Sequence, residues 1–582
     1  VLSDVIKTFE KQYKMHGDKF ITGSYIPADG EYIIVQPNED KFEILDKVII
    51  KIDKKTREVD RTNPYFDFIC RADYMSKYLD SNKALSDKNI HSNNYMTFFV
   101  KKENVHNGKI TDEIIKKYYD TLRNPLSKYS KPKAKKLYEE IEKKHGKAYG
   151  RRIDKIEEWV KNNIYKLVEK DSKDKSYLKI FFKYDWDEYI KESEKYVLTN
   201  IYNSNDYNMT VNGQIYGLPN DNMGLNSKKP YLENKSRKTK VPYLLSKEEV
   251  LMQKKFFDYL MNQVSAGKTN IYIDDEEIKT FSNDEMLKDD FSGYYLRIKK
   301  GKEVEIHDFD TIGIYKAKIK PLKLVNVLNI EKSKIEYTSI NSLKSLRNII
   351  NEVFFSKFLT TNYFTDAKDL NINDNSLKRN LLMARTALFT WFYKGNGNNV
   401  WKVLNQSSLD LIKGNINNGY LLKASDQFNL RCALKNYFEG GHNMADILKD
   451  VKDLLRKKLN EEKTSSIEND REYYFAVGQL ANYFISLSKS KNKVHSLANP
   501  IINAKTDERI KDELKKLYKK YNYTINTGNR RFRNLFAMVS SYMPEGKVEE
   551  DLIIAGYLHS NLIYEKADKD NINSDKEDKV NE

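Results

Sequence analysis

The sequence predicts an α+β protein, with mixed α/β N-terminal and middle regions and a predominantly helical C-terminal half ending in a helix bundle. Three observations predict it. Short β-type runs alternate with helical stretches over roughly the first 338 residues. From Ser339 onward, apolar residues recur at three- and four-residue steps almost without interruption. Finally, 582 residues with 40% hydrophobic and 12% aromatic content can bury several cores, so two to four packed regions are expected.

Along the chain, Glu31–Val35 and Lys47–Asp53 read as strands, with Ala28-Asp29-Gly30 turning the chain before the first. Met96–Val100 reads as a buried strand. Helices with basic polar faces are predicted at about 112–122, 131–145 and 151–169, then a strand at Tyr177–Phe182 and a helix near 187–199. Residues 203–246 are rich in Asn, Gly, Pro and Lys, with little periodicity, and are too long for an ordinary connection. A helix near 247–263 follows, and strands return at Asn270–Ile273, Tyr294–Ile298 and Glu303–His307.

In the helical half, Tyr473, Val477, Leu480, Phe484 and Leu487 form one apolar stripe. Ile510, Leu514, Leu517 and Tyr521 form another, and Phe532, Phe536, Val539 and Met543 a third. These read as bundle core. The expected organisation is a strand-rich domain at 1–110 and an α+β middle domain at 111–338, then a helical region at 339–443. A small helix bundle at 444–565 and a polar, disordered tail at 566–582 complete it.

The chain carries 101 Lys plus Arg against 84 Asp plus Glu, a formal charge of +17, which points to a polyanionic partner. Only Cys70 and Cys432 occur, excluding a disulfide scaffold or thiolate zinc cluster and fitting a reducing cytoplasm. No apolar run reaches the eighteen or so residues a membrane span needs. The chain starts at Val1 with mixed polar and apolar residues, which reads as the interior of a longer gene product rather than a secretory signal.

Catalytic signatures are sparse. No GxxxxGK[ST], GxGxxG or HExxH occurs. His307-Asp308 is an HD dipeptide, but a metal phosphohydrolase needs further His and Asp ligands on helices, and this pair ends a strand-like run. Pro219-Asn220-Asp221 with Glu233-Asn234-Lys235 loosely echoes a restriction-type nuclease core, in which paired carboxylates hold a metal. The carboxylates lie in an irregular loop, which cannot fix that geometry. No catalytic residue, metal or cofactor is assigned; a metal-dependent restriction-type nuclease, or another DNA- or RNA-processing enzyme, is the alternative reading.

Binding signals are stronger. Lys228, Lys229, Lys235, Arg237, Lys238 and Lys240 are opposed locally only by Glu233, a density suited to neutralising phosphates. Asn212, Gln214, Asn220, Asn222, Asn226 and Ser227 can read base edges. Gly213, Gly217 and Gly224 allow close backbone approach. A second polar cluster contains Lys88, Asn93 and Asn94 as backbone contacts. Lys489, Lys491 and Lys493, with Arg530, Arg531 and Arg533, are strand-path candidates on the C-terminal helices.

These stretches resemble the large subunit of type I-B CRISPR surveillance (Cascade) complexes. The resemblance lies in Gly224–Lys240, Lys88–Tyr95, Glu303–Asp310, Val477–Ser490 and Ile553–Tyr557, and it runs over nearly the whole chain. It implies a non-enzymatic subunit that joins a guide RNA (crRNA) and the backbone and other Cascade subunits. Such a subunit inspects double-stranded target DNA for a protospacer-adjacent motif, supports R-loop formation and recruits a helicase-nuclease. The C-terminal helices resemble the small subunit. Some relatives carry a cysteine zinc motif, which this chain lacks, so no metal is carried over. Glu439-Gly440-Gly441 permits a purine-rich ribosome-binding stretch shortly before Met444, so a free small subunit translated from Met444 is expected, against the bland reading of a Gly-Gly turn.

Overall fold

The computed structural model describes residues 2–38, 41–53, 56, 58–77, 89–168, 174–219, 243–301, 303–333, 335–440, 444–491 and 493–565. They form two compact units. One comprises the chain to Asn283 with Ser292–Thr311, the other Asp284–Phe291 with the chain from Ile312. The class is α+β, as the sequence predicts, with the sheets early and a helical C-terminal half.

The first unit opens with helices α1 (Leu2–His16) and α2 (Lys19–Thr22), strands β1 (Gly30–Pro37) and β2 (Phe42–Ile50), helix α3 (Phe66–Ser76) and strand β3 (Thr97–Lys101). Helices α4 (Lys102–His106), α5 (Asp112–Arg123), α6 (Pro132–His145) and α7 (Gly150–Leu167) precede β4 (Tyr177–Phe182) and α8 (Trp186–Thr199). Next come β5 (Met209–Val211), β6 (Gln214–Gly217), β7 (Leu245–Ser246), α9 (Lys247–Ser265), β8 (Asn270–Ile273) and β9 (Ile278–Phe281). Strands β10 (Phe291–Lys300) and β11 (Val304–Tyr315) close the series.

The first sheet has order β2-β1-β4-β3, with β1 and β4 parallel at its centre. Both central strands are continuous apolar runs because both their faces are covered. One buried charge breaks that rule. Lys179 on β4 places Nζ 2.5 Å from the buried Asp73 carboxylate, which also accepts from the Tyr25 hydroxyl at 2.7 Å. A buried ammonium is tolerable only with such a partner. Helix α9 begins where Ser246 and Glu249 form a reciprocal capping box.

Several expectations need correction. Part of the 203–246 stretch is the β5–β6 hairpin, and 220–242 lies outside the described residues, as does the 566–582 tail. The strand at Glu303–His307 continues to Tyr315, so His307-Asp308 lies within β11 rather than at its end.

The second unit pairs β12 (Lys318–Lys323) with β13 (Ser339–Ser342), so the helical region is entered through a strand. Its helices are α10 (Leu343–Val353), α11 (Asn375–Lys394), α12 (Val400–Asn417), α13 (Leu421–Glu439) and α14 (Met444–Asn460). They continue as α15 (Asp470–Ser486), α16 (Asn499–Ile502), α17 (Asp507–Tyr521), α18 (Arg530–Ser541) and α19 (Glu550–Leu558). Among the described residues, no helix is long and apolar enough to cross a membrane.

The bundle is organised by α15, which is buried on every side because α14, α17, α18 and α19 surround it. Two glycines set its closest contact. A Cβ on Gly478 would collide with the Ile553 carbonyl oxygen, and one on Gly556 with the Phe475 carbonyl oxygen. The backbones of α15 and α19 therefore touch, which only glycine permits. Polar side chains close the seam: Gln479 donates to the Gly556 carbonyl at 2.6 Å and accepts from the Leu562 amide at 2.8 Å. Asn482 donates to the Tyr557 carbonyl at 3.0 Å.

Arg431 on α13 ties the bundle to the rest of the unit. Its guanidinium reaches Asp551 on α19 at 2.9 Å, and Ser408 Oγ at 2.8 Å on α12. Burial pushes the Asp551 carboxyl upward, but Arg431 and Lys435 outweigh it and hold the group below the usual carboxylate range. The third stripe is shorter than its spacing suggested: α18 stops at Ser541, and Met543 is 80% exposed.

Replacing Gly556 with Ala is expected to destabilise the second unit by about 2–4 kcal/mol, because two backbones must part to admit one methyl group. Urea unfolding of the purified chain reads this directly, and an unchanged midpoint contradicts the tight crossing.

Candidate nucleic-acid interface

In the first unit, Asn212 and Gly213 form the two-residue turn between β5 and β6, both left-handed with φ of 48° and 78°. Asn-Gly is the favoured pair for such a turn, so backbone geometry accounts for Asn212. Gln214 is exposed, yet its amide accepts from the Tyr216 hydroxyl at 3.2 Å and donates to Glu248 at 3.5 Å. Gly217 is needed for packing, since a Cβ there would strike the Tyr202 ring. The face expected to approach a groove is filled by that ring. Asn220, Asn222, Asn226, Ser227, Lys228, Lys229, Lys235, Arg237, Lys238 and Lys240 lie outside the described residues, as do Lys88, Asp221 and Glu233.

Asn93 and Asn94 need correction. Both are buried, and both build the turn into β3. Asn93 Nδ2 donates to the Lys77 carbonyl at 2.6 Å, while Asn94 Oδ1 accepts from the Met96 amide at 3.0 Å. Neither side chain faces a phosphate in this conformation. One end of each amide serves the chain itself, while Asn93 Oδ1 and Asn94 Nδ2 are buried without a hydrogen-bond partner.

The C-terminal cluster is built differently. Aromatic packing draws the end of α15, the end of α17 and the start of α18 together. Tyr483 stacks on Phe532 at 5.0 Å, Tyr518 stacks on Phe536 at 4.9 Å, and Phe484 lies 6.2 Å from Phe532. The cations lie just beyond these rings, where the chain leaves α15 and α17 and enters α18. Lys489 and Lys491 are exposed after α15, Lys519 and Lys520 at the end of α17, and Arg530 and Arg533 at the start of α18. Lys493 is exposed and donates to the Ser486 carbonyl at 2.9 Å, closing the turn after α15.

Arg531 belongs elsewhere. Its guanidinium donates to Asn460 Oδ1 at 2.7 Å and to the Glu565 carbonyl, locking α14 to the segment after α19. It is a structural tie, not a strand contact.

Tyr523, which the sequence reading missed, is 70% exposed, with the Lys489 ammonium 5.8 Å from its ring centre. Composition could have found this surface. Tyr473–Thr506 holds four Lys and no Asp or Glu, and Leu514–Pro544 holds seven Lys or Arg and again no Asp or Glu. Cations at helix C-termini are also favoured by the dipole. That accounts for Lys519 and Lys520 but not for Arg530 and Arg533 at an N-terminus. An exposed aromatic beside exposed lysines and arginines has the chemistry on which a base can stack while the cations neutralise phosphates.

Among the described residues, no group of three or more His, Cys, Asp or Glu is placed to hold a metal. Cys70 and Cys432 are both buried thiols, and burial pushes Cys70 up to about 12.

Replacing Lys489, Lys491, Arg530 and Arg533 together with Ala is expected to make the salt dependence of single-strand binding shallower by about 3 in log K against log salt. Arg531→Ala is expected to lower the melting temperature instead, leaving that slope in place. Fluorescence anisotropy over a salt series separates the two; equal slopes for wild type and the fourfold variant contradict the assignment.

Comparison with protein-family models, curated proteins and solved structures finds no match to this chain.

Proposed function

We propose that this chain is the non-catalytic large subunit of a type I-B CRISPR Cascade complex. The observation that carries the reading is the set of exposed cations Lys489, Lys491, Arg530 and Arg533 where the chain leaves α15 and enters α18, with Tyr523 exposed beside Lys489. The formal charge of +17 and the resemblance of five stretches support it. In this role the chain joins guide RNA, the backbone subunits and the other Cascade subunits in the cytoplasm. It inspects double-stranded target DNA for the adjacent motif, supports R-loop formation and recruits the helicase-nuclease that cuts. Motif readout stays assigned to the stretch from Asn220 to Lys240, with the bundle end on the strand path.

The same reading includes a free small subunit. Met444 is the first residue of α14, and α14 through α19 share one apolar core built round α15. A product from Met444 therefore contains both glycines and the helices α14, α17 and α18 around α15, while α13, which packs on α19, and the core residues Leu328, Ile412, Ile416, Ala424, Phe428 and Cys432 precede the start. Such a copy also exposes Asp551, whose partner Arg431 precedes the start.

Two measurements test the proposal. With Mg²⁺ or Mn²⁺ present, the purified chain is expected to bind labelled DNA and leave it uncut, whereas cutting abolished by Asp221→Ala or Glu233→Ala establishes the nuclease reading. In cells, changing the Met444 codon is expected to remove a band of about 16 kDa, in proportion to 68.5 kDa for the full chain. Persistence of that band rejects the internal start.

A further inference from the structure

We propose that the junction of α6 and α7, Lys143–Arg151, is a second site for single-stranded nucleic acid, with Tyr149 as its stacking surface. The junction lies in the first unit, apart in sequence from both the 220–240 stretch and the C-terminal bundle. It stands whether or not the chain belongs to a CRISPR complex.

The segment Lys143–Ile153 contains five Lys or Arg and no Asp or Glu. Lys143, Lys144, Lys147 and Arg151 are exposed, and they pair with no carboxylate among the described residues. The nearby carboxylates are engaged elsewhere. Glu188 takes Arg152 at 3.4 Å, Glu192 takes Lys195 at 2.5 Å, and Asp154 takes Arg123 at 2.8 Å. Glu194 faces His145 at 3.5 Å. The four cations are thus left to an outside anion.

Tyr149 is 57% exposed, and its ring is held rather than loose. The Arg152 guanidinium lies 5.1 Å from its ring centre and 4.4 Å from that of Tyr184. Below the junction, the buried Lys195 ammonium donates to the Gly146 carbonyl at 3.1 Å. A ring fixed in this way loses little conformational freedom when a base stacks on it. Flanking it, Gly146 adopts φ of +81°, and no atom lies within 4 Å of a Cβ placed on Gly146 or Gly150. The ground on either side of the ring is open to a sugar-phosphate chain.

The chemistry favours a single strand over the other polyanions. A membrane-seated turn presents several large apolar side chains, and here Tyr149 alone is large and exposed. Duplex bases have their faces covered by their neighbours, whereas an unpaired base of RNA or DNA offers a face to stack.

The test uses the full chain carrying Ala at Lys489, Lys491, Arg530 and Arg533 and at Lys228, Lys229, Arg237 and Lys238, so that the bundle end and the 220–240 stretch are both silent. In that background, a 15-mer of iodouracil-containing RNA or DNA is expected to photo-crosslink to the peptide containing Tyr149. Tyr149→Ala is expected to weaken binding about 5- to 50-fold, and Tyr149→Phe, which keeps the ring, about as well as wild type binds. Lys147→Ala with Arg151→Ala is expected to flatten the salt dependence. A preference for the RNA or the DNA oligomer identifies which strand is bound. No crosslink in 143–152 with unchanged affinity for both oligomers overturns the proposal. So does loss of binding to phosphatidylserine vesicles, in the same variants, while oligonucleotide binding persists.

Discussion

The second unit depends on a point where two helix backbones touch. Because Gly478 and Gly556 carry no Cβ, α15 and α19 meet at carbonyl distance, and α15 is driven into the centre of the bundle. A helix so placed needs apolar or satisfied residues on all faces, and Tyr473–Ile485 supplies them, with Gln479 bonding the partner backbone. Val477–Ser490 and Ile553–Tyr557 hold the two sides of this crossing, so the packing places whatever lies beyond them.

What it positions is the far end of α15. Tyr483 and Phe484 continue the buried face and collect Tyr518, Phe532 and Phe536, so the ends of three helices converge. The chain beyond those rings carries Lys489, Lys491, Lys493, Arg530 and Arg533, all exposed. Arg431 and Asp551 tie the bundle to α12 and α13.

Much of the fold was legible in the sequence because burial has a period. The stripes of α15 and α17, the buried runs of β1 and β4, and the basic helices α6 and α7 follow from spacing alone. What failed has physical reasons too. Asn93 and Asn94 looked like nucleic-acid contacts because amides bond bases and backbone alike, and only the fold shows which they found. Arg530, Arg531 and Arg533 are equivalent as letters, but the middle one turns inward to Asn460. Tyr523 and Tyr149 are two among 41 tyrosines, and a sequence does not say which rings are left outside. The strands β9, β12 and β13 bury too little to show a pattern: β9 is half-buried throughout, and β12 and β13 each bury one side chain, Leu322 and Ile340.

In the proposed role this chain works as the protein partner of a guide RNA. The most direct measurement is to purify the tagged chain from its own cells at low salt and sequence whatever nucleic acid accompanies it. Short RNAs of uniform length, sharing a constant repeat-derived end and differing in the remainder, are the predicted result. Recovery of no nucleic acid, or of random fragments without a common end, contradicts it.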